Sequence, residues 1–189
     1  MEKKIEGIMN ESLDLHERIT VLIPQIKEAA EIMIGALSQG NKIMFAGNGG
    51  SAGDAQHLAA ELVNRYKMER APLAGISLST DTSTITAVGN DYSFDEIYSK
   101  QVRAIGVHGD VFVGISTSGN SQNILKALNA AQEMGIITIG LTGKGGMINR
   151  FLDCCIAVPS SDTPRIQEAH ILIGHILCEI IEERVGQKI

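Results

Sequence analysis

The chain has 189 residues, 44% of them apolar, which is enough for one well-buried α/β domain and too few for two. A net charge of -6, with acids and bases mixed along the chain, 4% aromatic residues and no Trp, argues against nucleic acid as the main partner. No run approaches the roughly 20 apolar residues that span a bilayer, and residues 1–15 lack the apolar core of a signal peptide, so a cytoplasmic protein without membrane contact is expected. Cys154 and Cys155 are adjacent and Cys178 sits in an apolar helical pattern; they form neither a disulfide framework nor a metal knuckle and read as small core residues.

Apolar residues recur near helical spacing over 5–37, with Pro24 inside the run, so the chain opens with a bent or broken helical extension. That extension exceeds what one sheet face needs, and part of its stripe is expected to pack on another subunit. A short apolar strand over 42–46 then runs through Gly47-Asn48-Gly49-Gly50-Ser51 into a helix that finishes over 62–66. Glycines there let the backbone lie close to a ligand, and the helix aims its free N–H groups at it, as an anion or sugar site requires. His57 and Glu61 stand at i and i+4 on that helix, on one face, where they could share a metal or a substrate atom.

A second strand over 74–78 leads to the hydroxyl and carboxylate cluster at 79–83, read as a helix cap. A short helix over 84–88 follows, ending at Gly89-Asn90-Asp91, and a longer one over 94–105. The third strand, 110–115, is the kind of apolar run that is buried on both faces of a parallel sheet. Directly after it, Ser116-Thr117-Ser118-Gly119-Asn120-Ser121 offers four hydroxyls and a glycine at a helix start. An N-cap needs one such hydroxyl, so the cluster reads as a phosphate cradle. Strands over 136–141 and 154–158 flank a short helix over 147–151, and a final helix covers 165–185. Five strands alternating with helices imply an α/β fold: a five-stranded parallel sheet flanked by helices on both faces, in flavodoxin-like order 2-1-3-4-5, with an N-terminal helical extension. In that order the turns after the first and third strands flank the switch point, where both would face one ligand.

The segments GNGGSAGDAQHLAAEL (47–62), GND (89–91), GISTSGNS (114–121), LTGKGG (141–146) and RIQEAHILIGH (165–175) together resemble the sugar isomerase (SIS) domain family, and within it the phosphoheptose isomerases. The resemblance covers nearly the whole chain. It implies a single SIS domain over 1–189, with helices over 1–39 taking part in oligomerisation, and a homotetramer with active sites where subunits meet. The implied activity is isomerisation of sedoheptulose 7-phosphate to glycero-manno-heptose 7-phosphate, for ADP-heptose and the lipopolysaccharide core. The implied cofactor is one zinc ion per subunit, held by His57, Glu61, Gln167 and His175. Asn48, Gly49, Gly50, Asn90 and Asp91 would meet the sugar, with Glu61 and Gln167 also touching it; Ser116, Thr117, Ser118 and Ser121 would take the phosphate. Aldose–ketose exchange by proton transfer needs a base and an acid, and these roles are assigned to Glu61 and His175. Gln167 and His175 are eight residues apart, roughly 12 Å along a helix, so either Gln167 reaches in from the helix start or several subunits share the site. Some relatives carry an acid just before the Arg-Ile-Gln motif; here the nearest is Asp162. Other members of the fold are non-catalytic sugar-phosphate binders that associate with the replication initiator, or isomerases of other sugar phosphates. The non-catalytic binders lack the His and Glu ligands retained here.

Overall fold

The computed structural model describes residues 1–146, 148 and 152–186. Apart from Ile148, the helix expected over 147–151 lies outside them. Helix α1 (Glu2–Arg18) passes through a 3-10 segment (Ile19–Leu22) into α2 (Ile23–Ser38), where Pro24 occupies the first turn. That is where its missing N–H costs nothing. Strands β1 (Ile43–Gly47), β2 (Gly75–Ser77), β3 (Val111–Ser116), β4 (Ile137–Thr142) and β5 (Cys154–Ala157) form one sheet in the order β2-β1-β3-β4-β5, with every pairing parallel. The connections run through α3 (Gly50–Val63), α4 (Thr82–Asp91), α5 (Ile97–Ile105) and α6 (Gln122–Glu133), and α7 (Thr163–Val185) closes the chain.

Two apolar layers follow from the two-residue period of the strands. Ile43 and Phe45 of β1, Val111, Val113 and Ile115 of β3, and Ile139 and Leu141 of β4 point to the side covered by α2, α3 and α7. Met44, Ala46 and Phe112 point to the side covered by α5 and α6. Three helices thus share one face, and α3 and α7 lie side by side on it. Their spacing is set by Gly174, where an added Cβ would come within 2.5 Å of Leu58.

Several local expectations change. Helix α3 stops at Val63 because a buried ion pair takes over the chain beyond it. Tyr66, Lys67 and Met68 donate their N–H groups to Glu182 at 2.8, 2.5 and 2.8 Å, and Arg70 Nε donates to it at 3.0 Å. Helix α4 continues through Gly89 to Asp91 and does not end at residue 88; Asp81 caps its start by accepting from Thr84 N at 3.0 Å. The helix expected over 94–105 begins as a 3-10 turn, Phe94–Glu96. Cys154 and Cys178 are buried free thiols, pushed up to about 12 by burial. His170 is a packed helix residue: Nε2 meets the Thr142 carbonyl at 3.1 Å and burial holds the ring at about 4, hence neutral.

Candidate active site

Gly49, at φ +55, turns the chain from β1 into α3, a conformation that favours glycine. Gly50 then lies so close to α7 that an added Cβ would stand 2.6 Å from the Gln167 amide. Two turns further on, His57 meets His175, their Nε2 atoms 2.9 Å apart. The Gly50–Gln167 and His57–His175 contacts advance seven residues on α3 and eight on α7, so the two helices run parallel in register.

On the same face of α3, Glu61 Oε1 is 3.1 Å from His57 Nε2, and ligand atoms of His57, Glu61 and His175 all lie within 4.8 Å of one another. A single chain therefore brings together His57, Glu61 and His175, three of the side chains singled out in the sequence. Three of the four predicted metal donors share this group; Gln167 sits nearer the sugar turn, against Gly50. Two imidazole nitrogens and a carboxylate oxygen are a donor set that suits zinc. Tetrahedral donors about 2.05 Å from such an ion stand roughly 3.3 Å apart, close to the spacings found, so the residues fit the ion.

The surroundings hold this group in place. The Tyr66 ring lies 5.5 Å from that of His175, on the segment that Glu182 pins. The Arg70 side chain is only 1% exposed and donates to the carbonyls of Glu61, Leu62 and Ala71 at 2.8, 2.9 and 3.0 Å, tying the end of α3 to Glu182. Burial works against the Glu182 charge, but three backbone N–H groups and Arg70 outweigh it and hold the carboxyl below its usual range. Asp54, one turn before His57, has its carboxyl pushed up by burial, partly offset by His57. None of Tyr66, Arg70, Glu182 or Asp54 stood out in the sequence: an Arg in a polar loop and a Glu late in an amphipathic helix usually mark solvated surface.

The second turn lies at the neighbouring strand end, since β1 and β3 are paired with Gly47 opposite Ile115. Ser121 precedes α6, yet its side chain does not cap the helix; its Oγ meets Ser116 Oγ at 3.0 Å. Ser118 is exposed, and Thr117 anchors the following loop through its carbonyl, which accepts from Gly143 N at 3.1 Å. The hydroxyls of Ser116, Ser118 and Ser121 thus gather ahead of α6, with Gly145 and Gly146 packed over Gly119. Asn48 reaches across from the first turn and bonds Asn123. Asn90 and Asp91 bond each other at 2.8 Å and lie exposed at the end of α4. Asp162 stands before α7 and accepts through its backbone carbonyl from Ile166 N.

Comparison with known proteins agrees with this geometry. The SIS domain family model matches residues 9–143. The chain is 53% identical to a phosphoheptose isomerase of Helicobacter hepaticus, over 99% of this chain and 96% of that one. It is 54% identical to one of Rhodospirillum rubrum, over 97% and 98%. The solved phosphoheptose isomerase GmhA from Neisseria gonorrhoeae superposes with a TM-score of 0.92 at 45% identity, covering 96% of this chain and 98% of that one. On the sheet order, the two donor-lined turns and these likenesses together, the chain belongs to the SIS domain family and, within it, to the phosphoheptose isomerases.

Proposed function

We propose that the protein interconverts sedoheptulose 7-phosphate and glycero-manno-heptose 7-phosphate, an aldose–ketose isomerisation on the route to ADP-heptose for the lipopolysaccharide core. The observation that carries this reading is the meeting of His57, Glu61 and His175 within 4.8 Å, beside two turns rich in anion and hydroxyl donors. Ser116, Thr117, Ser118 and Ser121 take the phosphate, with the start of α6 behind them. Anchoring the far end of the sugar converts remote binding energy into orientation at its first two carbons. Asn48, Gly49, Gly50 and Gln167 meet that end of the sugar, together with Asn90 and Asp91.

Glu61 takes the proton from C1 of the ketose, and the C1–H electron pair becomes the C1–C2 double bond of an enediolate as the carbonyl pair moves onto O2. The proton returns to C2, a proton passes from O1 to O2, and the aldose results. Oε1 of Glu61 faces His57, which leaves Oε2 for the carbon-bound proton; His175 handles the proton that moves between the two oxygens. A zinc ion, one per subunit, held by His57, Glu61 and His175, with Gln167 left to the sugar, would polarise those oxygens and stabilise the negative charge that develops on them.

The protein works as a cytoplasmic homotetramer. Ile5, Met9 and Leu13 stand 52%, 60% and 62% exposed along α1, an apolar stripe that a neighbouring subunit would cover. In the described residues no helix is long and apolar enough to cross a membrane. Incubating the purified protein with sedoheptulose 7-phosphate, with and without chelator, and identifying the product tests the function. Formation of the aldose heptose phosphate, lost on chelation and restored by zinc, is expected; an unchanged ketose in the zinc-loaded sample overturns it.

A further inference from the structure

Asn48 and Asn123 are 75 residues apart in sequence and form a closed amide pair: Asn48 Nδ2 donates to Asn123 Oδ1 at 2.9 Å, and Asn123 Nδ2 donates to Asn48 Oδ1 at 2.8 Å. Asn123 is only 2% exposed, whereas Asn48 is part-exposed on the first ligand turn. An amide can be flipped without changing its shape, so its direction is decided by its neighbours. Here the deciding neighbour is a backbone donor. The N–H of Ile124 can only donate, and it is shared between the Ser121 carbonyl at 3.0 Å and Asn123 Oδ1 at 2.9 Å, so an amide nitrogen in the latter place would set donor against donor. That atom must therefore be the oxygen, the other must be the nitrogen, and the Asn48 amide has one orientation that completes both bonds. The ring uses one N–H and one lone pair of Asn48. One of each is left, an N–H on one flank of the amide and a lone pair on the other.

We infer that Asn123 is a positioning residue for the isomerisation: through Asn48, the start of α6 dictates which flank of the Asn48 amide donates and which accepts at the sugar. The inference rests on the assignment of Asn48 to the substrate. A flipped Asn48 would present a lone pair to a sugar oxygen that can only accept, such as the carbonyl or enediolate oxygen, replacing an attraction by a repulsion. Asn123 removes that alternative without touching the sugar. The same pair joins the turn after β1 to the turn after β3, so the sugar end and the phosphate end of the site share one rigid link.

The test is a double-substitution cycle on the zinc-loaded full chain, reading kcat and KM with sedoheptulose 7-phosphate and the thermal midpoint of each variant. Asn48→Ala and Asn123→Ala are each expected to lower kcat/KM by about tenfold or more, the effect of one lost or misdirected polar contact. Asn123→Ala in the Asn48→Ala background is expected to cost less than about twofold more, because an orienting group has nothing left to orient. Asn123→Asp keeps the size and the acceptor for Ile124 N but cannot donate to Asn48 Oδ1. It should show the same loss, and the same disappearance of that loss in the Asn48→Ala background, so the test stands even where Asn123→Ala fails to fold. Losses that multiply, or an Asn123→Asp enzyme with wild-type kcat/KM, overturn the inference while leaving Asn48 on the substrate. Wild-type kcat/KM in Asn48→Ala removes Asn48 from the substrate, and the inference with it.

Discussion

Gly174 of α7 lies against Leu58 of α3 so closely that a methyl group at 174 would meet Leu58 Cδ2 at 2.5 Å and Cγ at 3.2 Å. Alanine is the better helix former by about 1 kcal/mol, yet overpacking a filled core costs about 1–3 kcal/mol. Gly174→Ala is therefore expected to push α7 away from α3 and part His175 from His57. Zinc affinity, measured by competition with a chromogenic chelator, should drop by about tenfold or more. Leu58→Ala in the same chain should recover most of that loss, because it removes the obstructing atoms.

Glu61→Gln keeps the shape of the side chain and removes its basicity. We expect kcat to fall by roughly a hundredfold to ten-thousandfold, the usual worth of a general base, with the same oligomer on a sizing column. Ser118→Ala should mainly raise KM, by about tenfold or more, because a hydroxyl bonded to a charged phosphate is lost. A Glu61→Gln enzyme with near wild-type turnover would remove Glu61 from the proton-transfer step.

The Arg70–Glu182 pair is almost wholly buried, with side chains 1% and 2% exposed. Glu182→Gln leaves an unpaired guanidinium in the interior, which costs about 3–5 kcal/mol. It also frees the chain around Tyr66 from the acceptor that organises it. Chemical denaturation should show the loss of stability. The carboxyl of Glu182 is held below its usual 4.5, so the stability it contributes is complete above that pH and is lost as pH falls through the lower folded value. Glu182→Gln should flatten the acid limb of the stability profile.

His170 gives a second pH dependence of different origin. Burial lowers its pKa from 6.5 to about 4, so the unfolded chain binds a proton at pH values where the folded one does not. The contribution of the neutral ring is complete above 6.5 and is lost as pH falls from 6.5 toward 4, in all about 3 kcal/mol. Denaturation of metal-free protein between pH 6.5 and 5 should show this slope. His170→Gln, which can still donate to the Thr142 carbonyl, should show a shallower one.

The strands were legible because their apolar runs are short, rich in Ile, Val and Phe, and bounded by glycine and hydroxyl turns. The sheet order follows from the alternation of strand and helix. His57 and Glu61 were legible as a pair because helical spacing alone puts them on one face. Their meeting with His175 was legible only through the family resemblance, because it joins residues 118 apart in the chain on two helices lying parallel in register, and that rests on close approaches at Gly50 and Gly174 with no local signature. The eight-residue gap between Gln167 and His175 looked too long for one site. It is matched on α3 by the seven residues from Gly50 to His57, so Gln167 lies beside the first turn and His175 beside His57. Asn123 escaped notice because an Asn in the first turn of a helix ordinarily faces solvent, and its partner is on another turn. Helix α4 outran its expected end because Gly89 can continue a helix as well as end one.

Helix shafts carry His57, Glu61 and His175, while the hydroxyl cluster after β3 sits in connecting backbone. Shafts packed on a sheet resist change; connecting segments accept it. On the proposed assignment, changes over residues 117–119 and 143–146 would alter which sugars fit while the proton-handling end keeps its dimensions, so substrate range and reaction type would vary separately in one scaffold.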